Sequence, residues 1–416
     1  MFKIVRTPSI LKPFFRSLTS EFHWEHASYF TQLVLAMAAS WGRRTVSNLY
    51  RHLNADTHRT RFNNFLNVGR WDPAALLRKK AHELLRRLKL KRGQTMYLVI
   101  DDSLRMKRAK KMEAIGFFRD PTSGRSVRGH HFVTAVLQVF GIVIPWGIRL
   151  YAKKEAARVL KTPFKKTTQL AAEMIAEFHP PKGVRVVVLF DSYYLCPTVV
   201  SACRRKGFHF ISVVKGNRNL YRNGRKLKAR RYVPGIWKRR EKRVVRSGGS
   251  TYRAVDAGWV DLNGVGRVHL IASRRVGEKR VLGLVSDLPR TSMTTIIRTY
   301  AQRWCIEQFF KDTKQLLGLG QYQNGSYRAA VTHLHLVCFA YALLTHLRLV
   351  REGAQGKRRA KAAKSLSTRW RNTGCSTASM QNELRRMLFL DLAAYLNEEH
   401  HSGDSFVKEL QRLWVA

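Results

Sequence analysis

Hydrophobic and polar positions change period several times along this chain, and the changes divide it. Residues 1 to about 90 carry a helical period. "FTQLVLAMAASWG" is an apolar run closed by Gly42, and "RTVSNLYRHLNADTHRTRFNNFLN" splits into two short amphipathic pieces around a polar break. "DPAALLRKKAHELLRRLKL" follows, with Asp72 at the N-cap and Pro73 at the first helical position, where a missing N–H goes unnoticed. Two short helices rich in Arg, His and Asn fit either a DNA-reading helix-turn-helix or a plain helical bundle.

After Gly93 the pattern becomes that of strands. "TMYLVID" and "VRVVVLFD" are apolar runs ending in carboxylates; between them "HFVTAVLQVF" and "IVIPWGIRLY" read as strands and "KTTQLAAEMIAEF" as a helix. "CPTVVSACRRKG" is a helix and "FHFISVVKG" a strand, so the order is strand, strand, strand, helix, strand, helix, strand. That predicts an α/β mixed sheet, an early meander followed by helical crossovers. From 216 to 289 the chain is basic and turn-rich, then falls into short strands, which predicts a β-rich insertion. Its Trp237 and Trp259 suit packing under a small sheet better than base stacking. Helices resume at "MTTIIRTYAQRWCIEQFFKDTKQLLGLG" and "YRAAVTHLHLVCFAYALLTHLRLV". A basic run, "GKRRAKAAKSLSTRWR", precedes a modest helical tail.

Charge alters this picture. Lys and Arg number 77 against 27 Asp and Glu, a net charge of +50 over 416 residues. Such self-repulsion is relieved by a polyanion, and because the cations are spread through every segment the expected one is nucleic acid, not a membrane surface. "THLHLVCFAYALLTHLRL" holds three His and reads as a buried helix, and "HFVTAVLQVFGIVIPWGI" is broken by Gly141, Pro145 and Gly147 into paired strands. Five cysteines with no CxxC pair read as reduced thiols, not as a disulfide frame or zinc site. No secretion signal is evident at the N-terminus, so a cytoplasmic location is expected.

In a chain this poor in acids, Asp101-Asp102 and Asp191 at strand ends and Glu307 within a helix stand out. Strand-end carboxylates open into the crevice where α/β sheets bind ligands. Their oxygens suit Mg²⁺ or Mn²⁺, and two such ions can clamp a phosphodiester displacement. At about 100° per residue, Tyr300, Arg303, Glu307 and Lys314 share a helical arc of about 60°, beside an apolar stripe of Ile306, Phe310 and Leu317.

The spacing Tyr-x2-Arg-x3-Glu-x6-Lys, met by Tyr300, Arg303, Glu307 and Lys314, resembles the signature of DDE transposases of bacterial insertion sequences, in the IS-four-like branch. "YLVIDDS" and "VVLFDSYY" resemble the first and second aspartate strands of that family, in the right order. The resemblance covers most of residues 95–345 and implies a ribonuclease-H-like fold. On it, residues 1–92 are an N-terminal helical DNA-binding domain, 93–215 and 290–350 two parts of the catalytic domain, 216–289 the β-rich insertion, and 351–416 a basic linker with a helical C-terminal segment. It implies Asp102, Asp191 and Glu307 as a triad binding two Mg²⁺ ions, with Mn²⁺ as substitute; Asp102 is selected over Asp101 because Ser103 follows it. It places Tyr300, Arg303 and Lys314 on the DNA backbone near the scissile phosphate; Lys107 and Lys111, in the loop after the first strand, are lesser candidates for phosphate contact. The implied partners are double-stranded DNA, as element ends and as target, and a second copy of the chain when assembled on DNA. The implied activity is cleavage of element ends and joining of the 3′-OH to target DNA; a nuclease without joining and a non-catalytic DNA-binding regulator are the alternatives. "GEKRVLGLVSD" lacks the Trp that hairpin-forming members carry before the signature helix, so the resemblance does not imply a hairpin pathway unless Trp259 or Trp237 substitutes.

Overall fold

The structure, a computed structural model, describes residues 2–109, 111–120, 123–359, 375–399 and 403–414. Its centre is the sheet expected from the apolar runs. β1 (Thr95–Met106) lies between antiparallel β3 (Ser126–Val139) and parallel β5 (Arg185–Phe190), and β6 (His209–Val213) adds in parallel beside β5. β4 (Ile142–Tyr151) returns along β3 through a two-residue turn at Phe140 and Gly141. Both have positive φ, 51° and 78°, the twist-compatible geometry of a tight hairpin. A short β2 (Gly116–Arg119) also pairs β3. Helices α7 (Thr167–Ala176) and α8 (Pro197–Arg205) make the two crossovers, and "VVVLF" of β5 is buried throughout, as a strand covered on both faces must be. The short α6 (Lys154–Val159) and β2 are absent from the sequence reading because their patterns are too brief to show a period.

Three expectations need correction. β1 does not end at its carboxylates: after β5 stops at Phe190, β3 keeps pairing it from Asp101↔Thr134 to Met106↔Gly129. Gly129 allows the approach, since a Cβ there would lie 2.3 Å from the Arg105 carbonyl oxygen. The insertion is not a sheet of its own. Its strands β7 (Asn219–Arg222), β8 (Arg225–Lys228), β9 (Arg243–Ser247), β10 (Ser250–Leu262) and β11 (Gly266–Arg275) join β12 (Leu282–Ser286), and β12 pairs β6, so one sheet runs from β2 to β8. The basic stretch read as turns contains a helix, α9 (Ala229–Arg239). Trp259 is partly exposed and stacks on His269, while Trp237 lies within cation–π range of Arg274 and Lys242.

The N-terminal helices are α1 (Lys12–Thr19), α2 (Trp24–Ala39), α3 (Val46–Arg51), α4 (Arg59–Val68) and α5 (Pro73–Arg87). Asp72 caps α5, accepting the Ala74 and Ala75 N–H groups at 2.9 and 3.0 Å. These helices do not build a separate core: α2 and α5 pack on α12 (Tyr327–Arg359), α5 also packs on β4, and one continuous cluster runs from Ile4 to Leu388. α12 contains the one helix segment, among the described residues, long and apolar enough to cross a bilayer, yet 94% of that window is buried in the protein. His333, His335 and His346 are buried within it. A further helix, Thr377–Glu399, closes over α2 and α12; the basic run before it lies, from 360 to 374, outside the described residues.

Buried Arg44 joins these parts. Its guanidinium donates to the carbonyls of Met37, Gly42 and Leu316, and its own carbonyl meets His333 Nε2 at 3.0 Å. The end of α2, the entry to α3, α12 and the helix carrying Glu307 thus meet at one side chain. Arg44→Ala strands three carbonyls, and we expect a loss of about 1.5–3 kcal/mol, the range for hydrogen bonds to a charged group. A lower urea midpoint with an unchanged slope would show it.

Candidate active site

The site forms where β5 ends and β1 does not. Ile100 pairs Phe190 in parallel register, so Asp101 and Asp191 are the next residues on neighbouring strands. Asp191 Oδ1 accepts the Tyr193 N–H at 2.8 Å and the Tyr194 N–H at 3.4 Å, a turn that leads the chain off toward α8 and fixes the carboxylate at the sheet edge.

The segment from 293 to 316 is two helices, not the single one its pattern suggests: α10 (Met293–Ala301) and α11 (Trp304–Leu316). Between them Gln302, Arg303, Cys305 and Ile306 each donate their N–H three residues back, to Thr299, Tyr300, Gln302 and Arg303. Such 3₁₀ bonding advances three residues per turn, so side chains three apart eclipse. Arg303 therefore comes over Tyr300, with its guanidinium carbon 5.9 Å from the ring centre. The apolar stripe anchors α11: Ile306, Phe310 and Leu317 are buried as expected, with Phe310 against Phe132 of β3.

Arg303 then gathers the acids. Its Nη1 donates to Asp101 Oδ2 at 2.9 Å and its Nη2 to Glu307 Oε1, so one guanidinium joins β1 to α11. Alternation along the strand sends Asp102 to the other face, where its carboxylate bonds His131 Nε2. The contacts thus bring together Asp101, Arg303, Glu307 and Tyr300, with Asp191 alongside, whereas Asp102 meets His131. The electrostatics of the site includes Asp102 as well, which acts on Asp101, Asp191 and Tyr194. Burial pushes the Asp101 carboxyl up to about 7 against the pull of Arg303, with Asp102 and Asp191 adding to the rise. Burial also raises Asp191, opposed by the Tyr193 N–H and reinforced by Asp102. Burial takes Tyr300 to about 12. For Arg303 burial works to weaken the charge, but Tyr300, Asp101 and Glu307 outweigh it and hold its pKa above the ordinary value.

The lysines fare differently. Lys314 is half-buried with its ammonium 5.6 Å from the Phe310 ring centre, and no described contact takes it to the carboxylates. Lys107 is committed to the protein: its ammonium donates to the carbonyls of Gly320 at 2.8 Å and Tyr322 at 2.6 Å and sits over the Tyr322 ring. Lys111 is exposed beyond β1. Sequence reasoning missed His131 and Tyr194. A strand histidine gives no signal; Tyr194, three residues past Asp191, is marked only by its place after a carboxylate.

Whether the site suits a metal ion can be judged from its donors. Aspartate and glutamate oxygens are the hard ligands that Mg²⁺ prefers. The buried Tyr194 hydroxyl has no hydrogen-bond partner among the described residues and feels Asp102, Asp101 and Asp191, as a group awaiting a bound water would. No three His, Cys, Asp or Glu side chains among the described residues stand close enough to enclose an ion as they lie; the Arg303 cation bridges Asp101 and Glu307. The donor set fits a hard divalent ion, with Arg303 standing in for part of its charge.

Arg303→Met leaves two carboxylates without their cation and should cost about 1.5–3 kcal/mol at neutral pH. Because Asp101 is raised from 3.8 to about 7 in the fold, stability declines as pH rises through that window, where the charged form must be buried. Without Arg303 the folded-state pKa of Asp101 rises further and the decline continues to higher pH, so the deficit measured by urea unfolding should be small near pH 4 and largest near pH 8.

The family described as DDE superfamily endonuclease matches residues 13–257, which takes in the first-strand aspartates and Asp191. That described as Transposase DDE domain group 1 matches residues 165–369, which takes in Asp191 and Glu307. No curated protein matches the chain. The first match spans more than half of the sequence, and the large mixed α/β sheet is compatible with the ribonuclease-H-like fold of such enzymes. The chain belongs to the DDE superfamily of endonucleases and transposases.

Proposed function

We propose that this chain is the transposase of a bacterial insertion sequence of the IS-four-like branch, acting in the cytoplasm on double-stranded DNA. One observation carries the reading: Arg303 ties Glu307 to a first-strand aspartate beside Asp191, with Tyr300 stacked on the same line. The signature spacing thereby has a physical purpose. Asp101, Asp191 and Glu307 would hold the divalent ions on which DDE enzymes depend, Mg²⁺ with Mn²⁺ as substitute. A second assignment, Asp102 in place of Asp101, is favoured by Ser103 after it and by its field on Asp191. Bound there, such ions neutralise the phosphate oxygens and make water a stronger nucleophile.

The protein's own residues do the positioning. Arg303, freed from one carboxylate, has donors for a phosphate oxygen, and Tyr300 keeps its hydroxyl proton at any physiological pH and so remains a donor. Water attacks the scissile phosphorus at the element end, the P–O3′ bond breaks, and the 3′ oxygen leaves with a proton. The freed 3′-OH then attacks a phosphodiester of target DNA, forming a new P–O bond as the target's own 3′ oxygen departs. Each step exchanges one phosphodiester oxygen for another and needs no protein nucleophile. Because two element ends must be cut together, we propose a dimer on DNA. Hydrolysis without joining would use the same residues and stop after the first step.

Glu307→Gln should lower cleavage of an end-bearing DNA fragment by about three orders of magnitude or more while binding to it stays within about threefold. Undiminished cleavage and joining by that variant would remove Glu307 from the reaction. Asp101→Asn and Asp102→Asn, made separately, decide the first-strand ligand: we expect the first to abolish cleavage and the second to leave measurable activity, and the reverse result would select Asp102. Mapping products on target DNA separates a transposase, which joins, from a nuclease, which does not.

A further inference from the structure

Past its carboxylates, β1 runs on toward the loop that follows α11, and an open cleft of about 610 Å³ lies between them. Arg43, Arg105, Lys107, Arg108, Gln321 and Gln323 are among its lining residues, and none of the described lining residues is acidic. Lys107 is fastened into the floor by the Gly320 and Tyr322 carbonyls. Arg43, Arg105 and Arg108 have no carboxylate partner among the described residues, whereas Arg303, Arg149 and Arg78 all do. Arg43 and Arg105 both bear on the Lys107 ammonium, so like charges converge on one space without compensation. Such convergence costs self-repulsion that a bound anion relieves. The Gln321 carboxamide oxygen already accepts the Arg44 N–H at 2.7 Å, which fixes that side chain and leaves its NH₂ as a donor.

Placement ties the cleft to the cleavage site. Asp101 and Arg105 lie four residues apart on β1, so they share a face of the sheet, and Lys107 follows just past the strand's end. Arg105 lies three to four residues beyond Asp102 and Asp101. At about 3.3 Å per residue this is roughly 10–13 Å, against about 3.4 Å per nucleotide along one DNA strand. We propose that this cleft binds the phosphate backbone of one DNA strand three to four nucleotides from the bond being cut, with Arg43, Arg105 and Arg108 as the phosphate ligands. The assignment rests on the reading of the carboxylate site as a DNA-cleaving centre.

The test uses the full chain and a duplex carrying the ends of the DNA element that encodes it, with the cut position mapped on wild-type products. Affinity is measured by fluorescence anisotropy over a range of KCl. The triple variant Arg43→Gln, Arg105→Gln, Arg108→Gln should bind more weakly, with a log–log salt slope shallower by about 2–3, roughly one unit for each phosphate it no longer neutralises. Uncharged methylphosphonates three and four nucleotides from the cut, on either side in turn, should weaken wild type on one side and leave the variant nearly unaffected. Should the triple variant fail to fold, exposed Arg108→Gln alone should reduce the slope by about one. A wild type that binds and cuts while the variants keep its slope and its methylphosphonate penalty overturns the cleft assignment alone. A wild type that neither binds nor cuts overturns the DNA-cleaving reading and this assignment with it.

Discussion

A single guanidinium holding two carboxylates is the contact on which the site depends. Asp101 lies on a sheet strand and Glu307 on a helix 206 positions later, and their like charges would drive the two elements apart. Arg303 turns that repulsion into attachment, and its planar fork suits the task as a lysine would not. The local backbone follows from this demand. The 3₁₀ turn at its root lines it up over Tyr300, and the resumed α-helix carries Glu307 one turn on. Phe310 and Ile306 then press α11 to the sheet, giving the polar contact an apolar backing without which water would weaken it.

Elsewhere the molecule uses buried cations as fasteners. Arg44 fixes the end of α11 to the N-terminal helices, and Lys107 fixes the following loop to β1 through two carbonyls. Both bind backbone oxygen instead of acid side chains, which suits a chain with 27 acids against 77 basic residues. Part of the large positive charge is therefore structural, satisfying carbonyls at helix ends and loops. The remainder, as around Arg105 and Arg108, faces open space.

How much of this the sequence discloses depends on the range of the physics involved. The apolar runs of β1, β3, β4, β5 and β6 announce themselves because a twice-covered strand needs little but Val, Ile, Leu and Phe. The Asp72 cap and the Phe140–Gly141 turn are equally local. The end of β1 is hidden because charged residues such as Asp101 and Arg105 look like a loop; only β3, distant in sequence, keeps them extended. The helix break at Gln302 carries no Gly or Pro to mark it, and the tightening is visible only in hydrogen bonds. The attachment of Lys107 is equally illegible, since its partners are carbonyls more than two hundred residues away. The choice between Asp101 and Asp102 turns on which face of β1 meets α11, and the residue that follows in sequence does not fix that.

The pairing of β12 with β6 has a mechanical meaning. Because hydrogen-bonded strands slide or hinge against each other only by breaking their ladder, the insertion is clamped to the strand next to β5, from whose end Asp191 projects. On the proposed reading, DNA held by the insertion's arginines would thereby be indexed to the carboxylates, as work is indexed to a blade on a common frame. A tether of loops would let the two drift; a shared sheet sets the offset between the insertion and Asp191 when the chain folds.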